Sequence, residues 1–141
     1  MHLAKPRIDI GLATNNLEPM LRFWQDEVGV PFDHLLKIRP GVDQHRHDLM
    51  GSVLKINHRA ESLSATPPSG YAELLIAREG LAAPRALVDP DGNRVSLLPG
   101  TAGIGQMGVR VRVRDLEAQR RFYADALGLK AAPAETGAAF R

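Results

Sequence analysis

The chain has 141 residues, 44% of them hydrophobic and 24% charged, a composition that suits one globular domain or two very small ones. It has no cysteine, which excludes disulfides, thiol catalysis and thiolate metal sites. The formal charge is only +2, and no apolar run approaches the roughly 20 residues of a membrane span, so neither nucleic acid nor a membrane is expected as a partner. The stretch Met1-His2-Leu3-Ala4-Lys5-Pro6 lacks the apolar core of a secretory signal, so a soluble cytoplasmic protein is the expectation.

The first element reads as a strand in which Ile8, Ile10 and Leu12 turn one way and Asp9, Gly11 and Ala13 the other. A helix follows. Asn16 stands at its N-cap position, Pro19 falls in the first turn, and Leu17, Leu21, Trp24 and Val28 are spaced for one buried face. Gly29 ends it in the left-handed cap conformation. Strands are then expected at Phe32 to Ile38, Asp43 to Leu49 and Ser52 to His58, with turns at Arg39-Pro40-Gly41 and Met50-Gly51. Residues 59–70, rich in Ser, Thr, Pro and Gly, read as a loop. Tyr71 to Arg78 is a further strand. Arg85 to Val88 and Arg94 to Leu98 flank the turn signal Asp89-Pro90-Asp91-Gly92-Asn93 and form a hairpin.

The last part repeats the first. Ile10 to Val30 aligns with Val109 to Leu129 without gaps, and Leu17, Glu18, Arg22, Phe23, Asp26 and Gly29 meet Leu116, Glu117, Arg121, Phe122, Asp125 and Gly128. Trp24 meets Tyr123. Asp115 takes the N-cap position and Gly128 the closing one. Val109 to Arg114 is expected as a strand with one buried face, because Arg110, Arg112 and Arg114 alternate with valines. These arginines, with Arg120 and Arg121, are read as a solvated face rather than a phosphate patch, since stacking aromatics are sparse nearby. The order is β-α-β-β-β, three strands with little room for a helix, then β-α and a short tail.

These elements resemble the vicinal oxygen chelate superfamily, which includes glyoxalase I, bleomycin-resistance proteins and extradiol dioxygenases. Three segments carry the likeness: Ile8 to Val30, the Asp89-Pro90-Asp91-Gly92-Asn93 hairpin, and Asp115 to Leu129. The resemblance implies an α+β fold of βαβββ modules, with curved mixed sheets around a cavity and helices on the outer face. Residues 1–100 would form a glyoxalase-like domain, with one module at about 6–59 and a reduced, strand-rich module at about 70–100. Residues 101–141 would begin a further βα(β) module, incomplete or completed by another chain. A homodimer is expected on the same ground, because half-finished sheets leave open edges.

In such proteins inward His, Gln or Glu side chains hold a divalent metal that polarises substrate oxygens. Carried over position by position, the resemblance places Asp9, Lys55, Glu73, Ser96 and Gln106 in the cavity as substrate-binding candidates. Lys55 is the sharpest departure, since a cation repels a metal at that position. No metal is therefore expected at the family positions and no cofactor is required; a divalent metal bound elsewhere is the alternative. An Asp9–Lys55 ion pair in place of the metal is one expectation, and either side chain reaching out to solvent is the other.

Within Gln44-His45-Arg46-His47-Asp48, His45 and His47 share a strand face. They are the candidate catalytic acid and base, or metal ligands completed by His58 or Asp9, or plain solvent-facing residues. No nucleotide-binding glycine motif or serine nucleophile elbow is present. The leading functional reading is a small-molecule-binding protein of the glyoxalase/bleomycin-resistance type, with lyase, isomerase or dioxygenase chemistry as its enzymatic form. The alternatives are a metal-free protein that binds or sequesters a small organic ligand, and a degenerate dimeric copy without activity.

Overall fold

The computed structural model describes residues 7–49, 51–65, 69–101, 104, 107–132 and 137–140. The chain divides into two compact units, one spanning 7–111 and the other lying beyond Val111.

The first unit opens with β1 (Asp9–Thr14) and α1 (Leu17–Arg22), whose helix continues through Phe23–Glu27 with wider, π-type turns. Three strands follow: β2 (Phe32–Arg39), β3 (Val42–Leu49) and β4 (Ser52–Arg59). They form a mixed sheet in the order β1-β4-β3-β2, with β1 parallel to β4 and the other pairs antiparallel. The second sheet is built from β5 (Tyr71–Arg78), β6 (Arg85–Val88), β7 (Arg94–Pro99) and β8 (Met107–Val111), in the order β6-β7-β5-β8. Here β5 runs parallel to β7, and β6 and β8 pair antiparallel with their neighbours. Strands β5, β7 and β6 thus repeat the arrangement of β1, β4 and β3, with no helix between β5 and β6. The strand β8, which the sequence repeat aligns with β1, closes the other side of β5.

One apolar core serves both sheets. Leu12, Leu54 and Ile56 from the first sheet, Leu74, Ile76, Val95 and Leu97 from the second, and Met20, Phe23, Trp24 and Val28 from the helix belong to a single buried cluster. The helical face differs from the expected one: Met20 and Phe23 are buried and Leu21 only partly so. Met20, Phe23 and Trp24 lie at the ordinary i, i+3, i+4 spacing of one helical face, one position round from the expected stripe, and packing against both sheets selects them. The π-type segment is closed by Val28 N–H donating to the Phe23 carbonyl at 2.9 Å. Val30 N–H then donates to the Trp24 carbonyl at 2.9 Å across Gly29, whose φ is 71°. That left-handed cap is the one expected from the sequence.

Asn16 does not cap α1 with its side chain. Its amide instead donates to Asp91 Oδ1 at 2.7 Å, tying the strand–helix junction to the Asp89–Asn93 turn. Strand β8 ends at Val111, so Arg112 and Arg114 lie beyond it, contrary to the six-residue strand expected from the alternation.

The second unit holds α2 (Leu116–Arg121), continued by a π-type segment at Phe122–Ala126, and a hairpin of β9 (Ala131–Ala132) and β10 (Ala139–Phe140). Asp115 does cap its helix, accepting from Ala118 N–H at 2.9 Å. The π-type segment recurs where the repeat places it, and Gly128 has a φ of 69°. Unlike α1, this helix has no buried residue.

Candidate functional site

The two faces of the first sheet differ in chemistry, and strand alternation decides which residue meets which face. Leu54 and Ile56 of β4 enter the core, which turns Lys55 and Asn57 to the opposite face. In β3, Gln44 pairs with Asn57 and Arg46 with Lys55, so both join that polar face. In β1, Asp9 pairs with Val53 and Gly11 with Lys55. Lys55 Nζ lies 3.0 Å from Asp9 Oδ2, and each side chain keeps 25% of its exposure. Asp9 Oδ1 also accepts from Val53 N–H at 3.1 Å. The ion pair expected from the sequence is therefore formed between neighbouring parallel strands.

An amide network continues across this face. Arg46 Nη1 donates to Gln44 Oε1 at 2.9 Å, and Gln44 Nε2 donates to Asn57 Oδ1 at 2.8 Å. Asn57 Nδ2 reaches the carbonyls of Lys55 and Leu12 at 3.3 and 3.4 Å. A Cβ at Gly11 would come within 3.0 Å of Asn57 Nδ2, so the network uses the space that glycine leaves. Gln44, Arg46 and Asn57 were not singled out in the sequence. The signal was present, because a hairpin turning at residues 50–51 sets Arg46 opposite Lys55.

Glu73 and Ser96 belong to the second sheet. Glu73 is buried at 8% exposure, accepts from the Ser96 hydroxyl, and pairs with the Arg110 guanidinium across β5 and β8. Nearby, burial is the main cause that pushes the Tyr71 phenol up to about 12, helped by the charges of Asp89 and Glu73. Gln106 lies outside the described residues.

His45 and His47 do share a face, but it is the helix-facing side of the first sheet. They pair with the core residues Ile56 and Leu54. His47 is fully buried, its Nε2 3.1 Å from Gln25 Nε2 of the helix, so the solvent-facing alternative does not apply to it. Asp9 cannot complete a ligand set with them, since β1 turns it to the other side. Burial lowers the proton affinity of both imidazoles. Among the described residues no three His, Asp or Glu side chains gather closely enough to hold a metal ion.

A shallow cleft of about 480 Å³ lies at the end of β1, lined by Ala13, Asn15, Asn16, Leu63 and the Pro90–Asn93 turn. Its polar groups are largely committed to structure. Asn15 spans the Arg59 and Glu61 carbonyls and the Leu63 N–H, at 2.7–2.8 Å. Asp89 is buried and organises the turn, accepting from the N–H groups of Asp91 and Asn93 and from the Asn93 side chain.

No family model matches the chain, and no curated protein matches it. Among solved structures, the chain is similar to a YycE protein of unknown function from Bacillus subtilis, named as a candidate glyoxalase/fosfomycin resistance protein. The TM-score is 0.54 at 16% identity, over 70% of this chain and 92% of that one. The fold is glyoxalase-like. At this identity the likeness concerns architecture alone.

Among the described residues, Asp9, Lys55 and Glu73 do not fit a divalent metal of the kind that glyoxalase-type enzymes hold. Asp9 is bonded to an ammonium, Lys55 is itself a cation, and Glu73 is engaged by a guanidinium and a hydroxyl. Such a site needs several unencumbered donors converging on one point. Asp9 and Glu73 are instead neutralised separately, in different sheets. No helix among the described residues is long and apolar enough to cross a membrane.

Proposed function

We propose that this chain is a vicinal oxygen chelate superfamily member that binds or sequesters a small organic molecule, without a resident metal, on the polar face of its first sheet. The observation that carries the reading is the Lys55–Asp9 pair at 3.0 Å. It places a fixed ammonium where the family resemblance puts a metal ligand, beside amide groups oriented by Asn57 and Gln44. The putting-together of charge and amides suits ligand recognition. His45 and His47 face the helix, so their position lends no support to acid–base chemistry on this surface.

The same reading includes a homodimer. Strand β2 is the edge of the first sheet and is exposed along its whole length, with Phe32, Leu35, Leu36 and Ile38 each 42–49% exposed. Long apolar edge strands invite pairing with another chain.

Metal analysis of protein purified without an affinity tag tests the main reading. The expected result is no stoichiometric Fe, Ni, Zn or Mn, together with stabilisation by small organic ligands. At 100 times its Kd, such a ligand raises stability by about 2.7 kcal/mol. Near-stoichiometric metal in the purified protein would overturn the reading.

A further inference from the structure

Arg46 stands directly opposite Lys55 on neighbouring antiparallel strands, and both are partly buried. Like charges so placed repel unless something compensates them. Lys55 has the Asp9 carboxylate. Among the described residues Arg46 has no acidic partner: its hydrogen bond goes to the neutral amide oxygen of Gln44, and its Nε is buried and unbonded.

The guanidinium is nevertheless held in place. Gln44 gives its amide hydrogens to Asn57, which turns its oxygen towards Arg46. A guanidinium carries five N–H donors, so most of them remain for another acceptor. Its planar fork matches two oxygens of an oxyanion, and low hydration lowers the cost of using it in a partly buried place. On β1, beyond β4, Ala13 contributes almost no bulk to this face and is exposed.

We propose that Arg46, assisted by Lys55, forms an oxyanion subsite that takes the carboxylate or phosphate group of the small organic ligand. This rests on reading the polar face of the first sheet as the ligand surface. Gln44 and Asn57 act as positioning residues, and the Lys55–Asp9 pair keeps the second cation from repelling the first at full strength.

Titration calorimetry at low ionic strength with inorganic phosphate and with benzoate tests the subsite and distinguishes the two oxyanion classes. The wild type is expected to bind at least one of them. Arg46→Gln should weaken that binding about tenfold or more, and Arg46→Lys should restore it only in part, because a point charge replaces a bidentate fork. Arg94→Gln removes the same charge from the second sheet and should leave binding unchanged. Circular dichroism of each variant checks that it is folded, and Arg46→Lys keeps the test open if Arg46→Gln is not. Equal losses in the Arg46→Gln and Arg94→Gln variants would reduce the effect to bulk charge and overturn the subsite. So would absence of binding by the wild type. If neutral organic compounds bind the same face while both anions do not, the subsite fails and the broader ligand-surface reading stands.

Discussion

Replacing Trp24 with alanine is expected to lower stability by about 3–5 kcal/mol, the usual range for emptying a buried aromatic site. For a unit of this size the melting midpoint should fall by roughly 14–23 °C. The argument is one of position. Trp24 is fully buried and packs edge-to-face with Phe23, ring centroids 5.3 Å apart. It sits in the single core to which both sheets of residues 7–111 contribute. Its indole nitrogen has no hydrogen-bond partner among the described residues, so the loss is one of packing and buried area. Phe122, the repeat counterpart of Phe23, is 50% exposed, and Phe122→Ala should change stability by no more than about 0.5 kcal/mol. Calorimetric unfolding of the three proteins checks the pair of predictions. Amide exchange that Trp24→Ala accelerates in the strands of one sheet alone, with the other sheet of residues 7–111 unaffected, would contradict a core shared by both sheets.

If the chain pairs through β2 as proposed, Leu35→Lys is expected to dissociate that dimer. A two-fold axis perpendicular to a sheet joins residues of like face, so an antiparallel β2–β2 pair centred on Leu35 sets each Leu35 against its copy. The same register places Asp33 opposite Lys37 and Phe32 opposite Ile38. Charge and apolar groups then complement each other. Placing two lysines on the axis loses the buried leucine contact and sets like charges face to face, at a cost of about 3 kcal/mol or roughly a hundredfold in the dimer constant. Sedimentation equilibrium measures it. A wild type that remains monomeric at tens of micromolar removes the β2 pairing from consideration.

Periodicity made most of the fold legible. Alternation located the strands to within a residue or two at most ends, and the Asp89–Asn93 turn and both closing glycines mark real chain reversals. The helix face was harder to read because Met20, Phe23 and Trp24 are as well spaced for one face as Leu17, Leu21 and Trp24, and only packing decides between them. Asn16 and Asp115 occupy equivalent positions, yet only Asp115 caps. Asn16 meets Asp91, a partner 75 residues away that no local pattern reveals. The Asp9–Lys55 pair was legible because the family resemblance brought both positions to one place. Arg46 is easily passed over because its neighbours His45 and His47 carry more familiar chemistry, although the turn at residues 50–51 already implies the β3–β4 register that sets the arginine, and not the histidines, opposite Lys55.

Side-chain NMR during titration with benzoate or phosphate tests the central claim most directly. If the polar face of the first sheet is the ligand surface, the shifts concentrate on the Gln44 and Asn57 amide groups, the Arg46 Nε–H and the Lys55 ε-methylene. Shifts confined to the amide groups of Asn15, Asn16 and Asn93 around the cleft, or to the His45 and His47 rings beneath the helix, would contradict it.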